Sequence, residues 1–298
     1  MRTQKRFTPS LLERFIRQGR GTGTYQDYIP WHRVGRGDPS STGRSHLMVW
    51  RERQRELLSD GEWVGILFST MMSDLVDIRE QNKLSLEDGP LELSLYDVTF
   101  AGTAYPGTIQ IAKQLGLKHP RVNGDGCSAH WQLSTDQVLV IRRSSGELKF
   151  LAVSYKPDEK GLTKRTRELL AIERAYWEAR SVQWILIAPQ LFDESVGLTL
   201  RRAVPWGLGT AVSDLEISTA VRVVIMTLGH TFTYTLNCIS EELKDMDLAQ
   251  RAFWQAVWSA ALPMDLRVGW RPHLPIKLLS LQDFNALNPV KSGRTLWN

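Results

Sequence analysis

The spacing of hydrophobic positions between residues 59 and 188 predicts two helices and four strands. Apolar residues three and four apart indicate an amphipathic helix, whereas strict alternation and short apolar runs indicate strands. The turn Ser144-Ser145-Gly146 makes the two central strands a hairpin, so the predicted order is αβββαβ. In chain order these elements are a helix that begins at Ser59, strands over Leu75–Gln81, Gln137–Arg143 and Leu148–Tyr155, a helix over Thr163–Arg180 and a strand over Trp184–Ala188.

Less regular sequence precedes and interrupts this core. A short helix is expected over Leu11–Arg17, followed by a stretch over 19–44 that is broken by Gly, Pro and Ser. Because that stretch contains Tyr and Trp, we expect it to pack as an arm. The region over 84–130 is irregular, with a short helix predicted over Thr108–Leu115.

The pattern changes after about residue 193 and becomes mainly helical, including a helix over Asp247–Ala261. We expect one domain over 1–193 and a second, smaller domain over 194–298. Helices followed by a hairpin predict a winged-helix-like architecture for the second domain. Its hairpin strands are expected over Leu266–Trp270 and Ile276–Leu281.

The composition is that of a folded protein, with 42% hydrophobic and 23% charged residues. No apolar run reaches the ~18 residues of a membrane span, and the N-terminus has no apolar signal-peptide core, so we expect no membrane contact and no export. Cys127 and Cys238 stand far apart, without Cys or His at metal-ligand spacing. Reduced thiols in a cytoplasmic protein are therefore expected.

Basic residues are concentrated at the N-terminus. Residues 1–60 contain twelve Lys and Arg against six Asp and Glu, a net charge of +6, whereas the remaining 238 residues carry 25 against 26, a net charge of −1. Since Arg suits bidentate phosphate contact, this stretch either binds DNA phosphates or forms a solvated basic surface. The arginines concerned are Arg17, Arg20, Arg33, Arg36, Arg44, Arg51, Arg53 and Arg55.

The predicted hairpin brings together polar residues that suit metal-assisted hydrolysis. Asp136 precedes its first strand and Lys156 follows its second, so both lie at the open end, and Ser154 shares the face of Lys156. Glu62, at the start of the preceding helix, supplies another carboxylate. Carboxylates bind Mg²⁺, which activates water against a phosphodiester, and a lysine orients that water or offsets charge.

Each residue also has a structural interpretation. Glu62 has the S-x-x-E spacing of a capping box with Ser59, Asp136 can cap a strand, and Lys156 can be an ordinary exposed residue before Pro157. The spacing of Asp136, Ser154 and Lys156 alone is a weak signal, because the common nuclease pattern has an acid at the position of Ser154.

Segments between residues 19 and 179 resemble, in order, TnsA, the endonuclease subunit of heteromeric TnsABC-type transposons. The segments are GRGTGTYQDYIPW at 19–31, PSSTGRSH at 39–46, LLSDGE at 57–62, VDIREQ at 76–81, LKHP at 117–120, STD at 134–136, VSYKP at 153–157 and KRTRELLAIERAYWEA at 164–179. The last 100 residues match less clearly. The resemblance implies an α/β fold with a restriction-endonuclease-like αβββαβ core.

The resemblance also implies roles for individual residues. The family's catalytic residues fall on Glu62, Asp136 and Lys156, with Mg²⁺ (or Mn²⁺) held by Glu62, Asp136 and the Tyr155 main-chain carbonyl. Ser154 stands where relatives can have Gln and restriction enzymes have an acid, so its place as a fourth ligand depends on a bridging water. For DNA contact we select Arg20, Arg33, Arg36, Arg44 and His46. His119, like His46, is interpreted as a DNA contact or a core residue, whereas His130 lies near Asp136 in the sequence and is a minor candidate for reaching the site.

The implied activity is cleavage of the 5′-end strands of a transposon in the bacterial cytoplasm, at the nucleoid. The implied partners are double-stranded DNA at the transposon ends, a DDE-type transposase and an AAA+ ATPase regulator. One alternative is a catalytically silent module that assembles the complex and docks DNA, which the Ser154 departure favours. Another alternative is a nuclease that cuts without transposon partners.

Overall fold

The computed structural model describes residues 6–40, 44–124, 126–157 and 162–297. The helices of these residues are α1 (Pro9–Arg17), α2 (Asp60–Thr70), α3 (Thr108–Gln114), α4 (Lys164–Ala179), α5 (Glu194–Gly207), α6 (Asp214–Met226), α7 (Phe232–Leu243), α8 (Met246–Trp258) and α9 (Leu281–Ala286). The strands are β1 (His46–Trp50), β2 (Arg53–Leu57), β3 (Leu75–Lys83), β4 (Arg121–Gly124), β5 (Cys127–His130), β6 (Ser134–Arg142), β7 (Leu148–Tyr155) and β8 (Gln183–Ile187). The mixed α/β class predicted from the sequence is confirmed.

The central sheet has the strand order β3-β6-β7-β8. β3 and β7 each pair antiparallel with β6, and β8 pairs parallel with β7. Val138 and Val140 contribute to one face of the sheet and pack with α4 in a single core cluster, whereas the intervening Leu139 and Ile141 are also buried. Burial on both faces explains why β6 and β7 are continuous apolar runs. Taken in chain order, α2, β3, β6, β7, α4 and β8 form the predicted αβββαβ core.

The N-terminal arm packs against this core, as predicted. Tyr28 and Trp31 are buried, and the N–H of Trp31 donates to the main-chain oxygen of Gln81 in β3 (3.1 Å). Arg20 forms a buried ion pair with Asp38 (2.7 Å) and donates to the Trp31 carbonyl (3.2 Å). The arm is thereby fastened beside the end of β3. Residues 41–43, inside the PSSTGRSH segment, lie outside the described residues.

Two short hairpins were not predicted from the sequence. β1 pairs antiparallel with β2, and its two turn residues, Arg51 and Glu52, both have positive φ angles, of 48° and 63°. Two consecutive positive φ angles are the type I′ conformation that matches the twist of a hairpin, although Asn-Gly is its usual sequence. The second hairpin pairs β4 with β5 inside the region expected to be irregular.

The chain forms two units, the first comprising residues 1–63, 74–188 and 296–298 and the second comprising residues 64–73 and 189–295. In the second unit, α8 supplies a buried stripe that includes Phe253, Trp254 and Val257, and Phe232 of α7 packs on Phe253 with the ring centroids 4.8 Å apart. The mainly helical character predicted for this part of the chain is confirmed.

The strands predicted near its end are wrong. Leu266–Val268 is a 3-10 helix, and among the described residues the β-like contacts of this segment are two isolated bridges, Met264↔Leu278 and Thr231↔Pro275. Pro272 and Pro275 interrupt the segment between the two predicted strands, and a proline has no N–H for a ladder hydrogen bond. None of the helices in the described ranges has both the length and the apolar character needed to cross a membrane.

Candidate nuclease site

Glu62 lies in the first turn of α2, where several donors hold its carboxylate. The carboxylate accepts hydrogen bonds from the Leu58 N–H (2.9 Å), the Ser59 hydroxyl (3.2 Å) and the Gln81 side-chain amide (3.1 Å). The Ser59 oxygen accepts from the Glu62 N–H (3.2 Å), which is one half of the capping box that the S-x-x-E spacing predicts; in the other half the carboxylate accepts from the Leu58 N–H in place of the Ser59 N–H. Glu62 is buried, and its position is fixed by both the helix start and β3.

Asp136 is the third residue of β6 and faces the same amide. Its carboxylate accepts from the Tyr155 N–H (2.7 Å) and from the Gln81 side-chain amide (3.4 Å). Because one nitrogen of Gln81 contacts both carboxylates, at 3.1 and 3.4 Å, the contacting oxygens of Glu62 and Asp136 are separated by at most the sum of these distances, 6.5 Å. The structure therefore brings the two predicted acids together.

Lys156 follows β7 directly and is held at the end of this inner strand by its backbone. Its N–H donates to the Ile187 carbonyl of β8 (2.9 Å), and its Nζ lies 3.7 Å from Oδ2 of Asp136. The side chain is 27% exposed, so the ammonium group borders solvent. All three residues predicted as catalytic thus lie in one cluster.

The hydroxyl of Ser154 is engaged in the interior. It donates to Oε1 of Glu173 (2.6 Å) and accepts from the Trp184 indole N–H (3.1 Å). Ser154 is 1% exposed. These contacts give the side chain a structural role, and they do not support it as a direct metal ligand.

Glu173 is the acidic residue that the sequence analysis missed. It lies in the middle of α4, is buried, and accepts hydrogen bonds at Oε1 from Thr135 and Ser154 (2.6 Å each). It also interacts electrostatically with Lys156 and Asp136. An acid on the inward face of a helix that is otherwise apolar on that side was a signal that could have identified it.

Burial and mutual repulsion set the protonation of this cluster. Burial, followed by the Asp136 carboxylate, raises the pKa of Glu62 to about 8. Burial also raises the pKa of Glu173, although Lys156 opposes that shift. For Lys156, burial acts to lower the pKa, but the charges of Asp136, Glu173 and Glu62 outweigh it and raise the pKa above its ordinary value. Lys156 is therefore an ammonium group at neutral pH.

The donor set suits a hard divalent cation. Carboxylate oxygens are the ligands that Mg²⁺ prefers, and the Gln81 amide nitrogen already places positive hydrogens between the two carboxylates. Within the described ranges, no group of three or more His, Cys, Asp and Glu residues has an arrangement that could hold a metal ion. A cation here would therefore need main-chain or water oxygens beside Glu62 and Asp136.

The residues selected for DNA contact fall into two groups. Arg44 is 84% exposed and pairs with Asp60 (3.0 Å), which also bonds His46 (2.7 Å). Arg36 is exposed, and Arg33 is 48% exposed in an ion pair with Glu56 (2.7 Å). Arg20 belongs to the interior, since its guanidinium is committed to Asp38 and Trp31.

Two further arginines of the basic stretch are also interior residues. Arg53 and Arg55 are buried and share the carboxylate of Glu80, at 2.6 and 3.3 Å. They are therefore unavailable to phosphates. His119 contacts His130 through the Nδ1 atoms (3.1 Å) and bonds Thr108 (3.1 Å), which agrees with its packing interpretation. His130 bonds His119 and Arg121 (3.1 Å each), so its contacts lie with these residues and not with Asp136.

An αβββαβ core with two carboxylates and a lysine at one end of its inner strands is typical of restriction-endonuclease-like nucleases. Comparison with known proteins agrees. Residues 73–188 match the family described as TnsA-like endonuclease N terminal. The chain is also 29% identical, over 226 residues, to transposon Tn7 transposition protein TnsA of Escherichia coli, an alignment that covers 75% of this chain and 71% of the relative. Residues 73–188 thus form a TnsA-like endonuclease domain, and the chain is similar to TnsA over three quarters of its length.

Proposed function

We propose that this chain is a Mg²⁺-dependent DNA endonuclease that cuts the 5′-end strands of a transposon during cut-and-paste transposition. The observation that carries the proposal is the pairing of Glu62 and Asp136 around one amide nitrogen, with Lys156 Nζ 3.7 Å from Asp136. The similarity to a transposition protein supports the transposon end as the substrate. Mn²⁺ is expected to replace Mg²⁺, because oxygen ligands suit both ions.

Glu62, Asp136 and the Tyr155 main-chain carbonyl are the proposed ligands. A cation bound there supplies an activated water and offsets phosphodiester charge. Since Glu62 is largely protonated at neutral pH, its carboxyl group must release a proton when it becomes a ligand. Ser154 is left out as a direct ligand, because its hydroxyl is already bonded to Glu173 and Trp184.

Lys156 is proposed to act as a cation rather than as a base. Its raised pKa keeps it protonated, so it can orient the attacking water and stabilise negative charge that develops on the phosphate. Glu173 is proposed as its positioning residue, because the two interact electrostatically and Glu173 is anchored by Thr135 and Ser154.

DNA contact is proposed for Arg33, Arg36, Arg44 and His46. Arg44 and His46 both bond Asp60, which lies two residues before Glu62. A phosphate contact at this position would set the backbone of the DNA beside the candidate site, since phosphate contacts fix register rather than sequence. Weak sequence readout by this chain is therefore expected.

A DDE-type transposase, which cuts the other strand, and an AAA+ ATPase are the proposed partners, with the work carried out at the cytoplasmic nucleoid. Residues 194–298 are proposed as a domain for partner or DNA contact. Exposed apolar side chains on α6, including Leu215 (74% exposed) and Met226 (72%), support a role in binding rather than in core packing.

The test uses the full chain with its transposase and ATPase, a DNA duplex carrying a transposon end, and Mg²⁺. We expect cleavage of the 5′-end strand to fall at least about 100-fold in Asp136→Asn. DNA binding by gel shift should be retained, and the exposed control Asp74→Asn should cleave like the wild type. Binding without cleavage by the wild type would instead identify a silent assembly module. Cleavage without any partner would identify a different kind of nuclease.

A further inference from the structure

Gln81 has an unusual backbone for its place in the fold. It lies within β3, between the paired residues Glu80↔Gln137 and Asn82↔Thr135, yet its φ angle is +48°. Glycine adopts this left-handed region readily, whereas other residues pay of the order of 1 kcal/mol or more for it. Gln81 therefore has a backbone conformation that a residue with a side chain disfavours, and contacts with the surrounding structure must stabilise it.

The surroundings of Gln81 do hold it from both sides. Its main-chain oxygen accepts from the N–H of Trp31, a fully buried residue of the arm. Its side chain is also buried, with Oε1 accepting from the Ser134 hydroxyl (3.3 Å). The backbone and both ends of the amide are therefore fixed by separate elements.

The amide nitrogen points between the two candidate ligands. It donates to Oε2 of Glu62 (3.1 Å) and to Oδ1 of Asp136 (3.4 Å). Two carboxyl groups so close together repel when both are ionised, and N–H donors between them reduce that repulsion. The left-handed backbone of Gln81 and the bridging position of its amide thus occur at the same residue.

We propose that Gln81 is a positioning residue that holds Glu62 and Asp136 as a preorganised pair for a divalent cation. The inference rests on the proposed function and names a residue that it does not use. The arm takes part, because the Trp31 N–H fixes the backbone of Gln81. Preorganised ligands bind more tightly, since less order has to be created when the cation arrives.

The test measures Mn²⁺ binding by calorimetry in the full-length protein without DNA, so that the result does not depend on cleavage. Gln81→Met keeps the length of the side chain but removes the amide, and we expect it to weaken Mn²⁺ affinity about tenfold. Gln81→Glu puts a third carboxylate at the same place. It should strengthen Mn²⁺ binding and enlarge the Mn²⁺-induced rise in melting temperature.

Gln132→Met is the matched control, because Gln132 is also a buried glutamine. Its amide nitrogen donates to the main-chain oxygen of Leu84 and not to a candidate metal ligand. This control should lower stability and leave Mn²⁺ affinity unchanged. Should Gln81→Met not fold, Gln81→Asn provides the test, since Asn tolerates the left-handed backbone but is one methylene too short to bridge both carboxylates. A several-fold loss of affinity is expected for it.

An unchanged or tighter Mn²⁺ affinity in the folded Gln81→Met or Gln81→Asn protein overturns the role of Gln81 and leaves the proposed function intact. A wild-type protein that binds no Mn²⁺ contradicts the metal-dependent function and this inference together. The two failures are therefore distinguishable from the same titration.

Discussion

A polar residue in a protein interior needs neighbours that satisfy its hydrogen bonds. His32 illustrates the point in the arm, where it is buried and stacked on Trp131 with the ring centroids 5.7 Å apart. Its Nδ1 bonds the Ser40 hydroxyl (2.8 Å). Burial lowers the pKa of His32 to about 4, although Asp38 opposes the shift.

The pKa of His32 predicts acid sensitivity. An unfolded chain protonates this histidine below about pH 6.5, whereas the folded protein resists protonation until about pH 4. Stability is therefore lost as pH falls from 6.5 toward 4, by up to about 3 kcal/mol. Urea unfolding at pH 7, 6 and 5 should show a flatter pH dependence for His32→Gln than for the wild type. The exposed His273→Gln should follow the wild type, and parallel profiles for all three proteins would contradict the prediction.

At the same scale, the sequence could predict part of the candidate site. Glu62, Asp136 and Lys156 lie at the ends of elements whose boundaries the hydrophobic pattern predicts, so their proximity could be predicted from a hairpin and a helix start. Gln81 and Glu173 could not be found in this way. Both lie inside elements and reach the site through long-range contacts, with Gln81 re-aimed by a φ angle that sequence alone does not reveal.

Among the elements, the long core strands and helices follow from the sequence and the short hairpins do not. β6 and β7 bury both faces, which leaves a strong apolar signal, and α4 begins after Thr163, whose side chain accepts from the Thr166 N–H (3.1 Å). The β1–β2 hairpin carries Arg51 and Glu52 at its turn, a pair without the usual turn chemistry. Its strands also carry arginines, which suggested a surface rather than an interior.

Buried ion pairs join side chains of β2 to a side chain of β3. We predict that breaking them lowers the stability of the fold strongly. Arg53 and Arg55 share Glu80, which is 0% exposed. Removing that charge in Glu80→Gln leaves the buried Arg53 without its carboxylate partner and Arg55 with Asp77 at 3.8 Å, so we expect a loss of about 3–5 kcal/mol in the free energy of unfolding. Chemical denaturation measures it, with Glu147→Gln as the control. Glu147 pairs with Arg143 at the surface, and its loss should cost at most about 1 kcal/mol. Equal effects for the two variants would contradict the prediction.

At the scale of the whole molecule, the second unit takes ten residues from elsewhere in the chain. Residues 64–73 belong with residues 189–295, and their contacts are specific. The main-chain oxygen of Phe68 accepts from the buried Asn288 amide (2.8 Å), and the Thr70 hydroxyl accepts from the Trp258 indole (3.0 Å). The single boundary expected near residue 193 separates residues 64–73 from the unit to which they belong. A hydrophobic pattern shows local periodicity and does not show which distant residues a segment contacts.

This composition predicts how fragments behave. A fragment over 189–295 loses the partners of Asn288 and Trp258 and exposes the surface that Phe68 covers, so it should melt without a cooperative transition. The same fragment with residues 58–73 attached through a flexible linker should regain one. Circular dichroism melting curves compare the two fragments, and equal cooperativity would show that the segment is dispensable.

The interior positions of Arg20, Arg53 and Arg55 have a consequence for how the protein responds to ionic strength. DNA association releases about 0.9 counterions for each phosphate that a basic side chain neutralises. Three of the eight arginines considered for phosphate contact are engaged internally, so they release none. The slope of log DNA affinity against log salt concentration should therefore be smaller in magnitude, by about 0.9 for each of the three arginines, than the charge of the sequence implies. Neutralising an exposed arginine such as Arg44 should reduce the slope further.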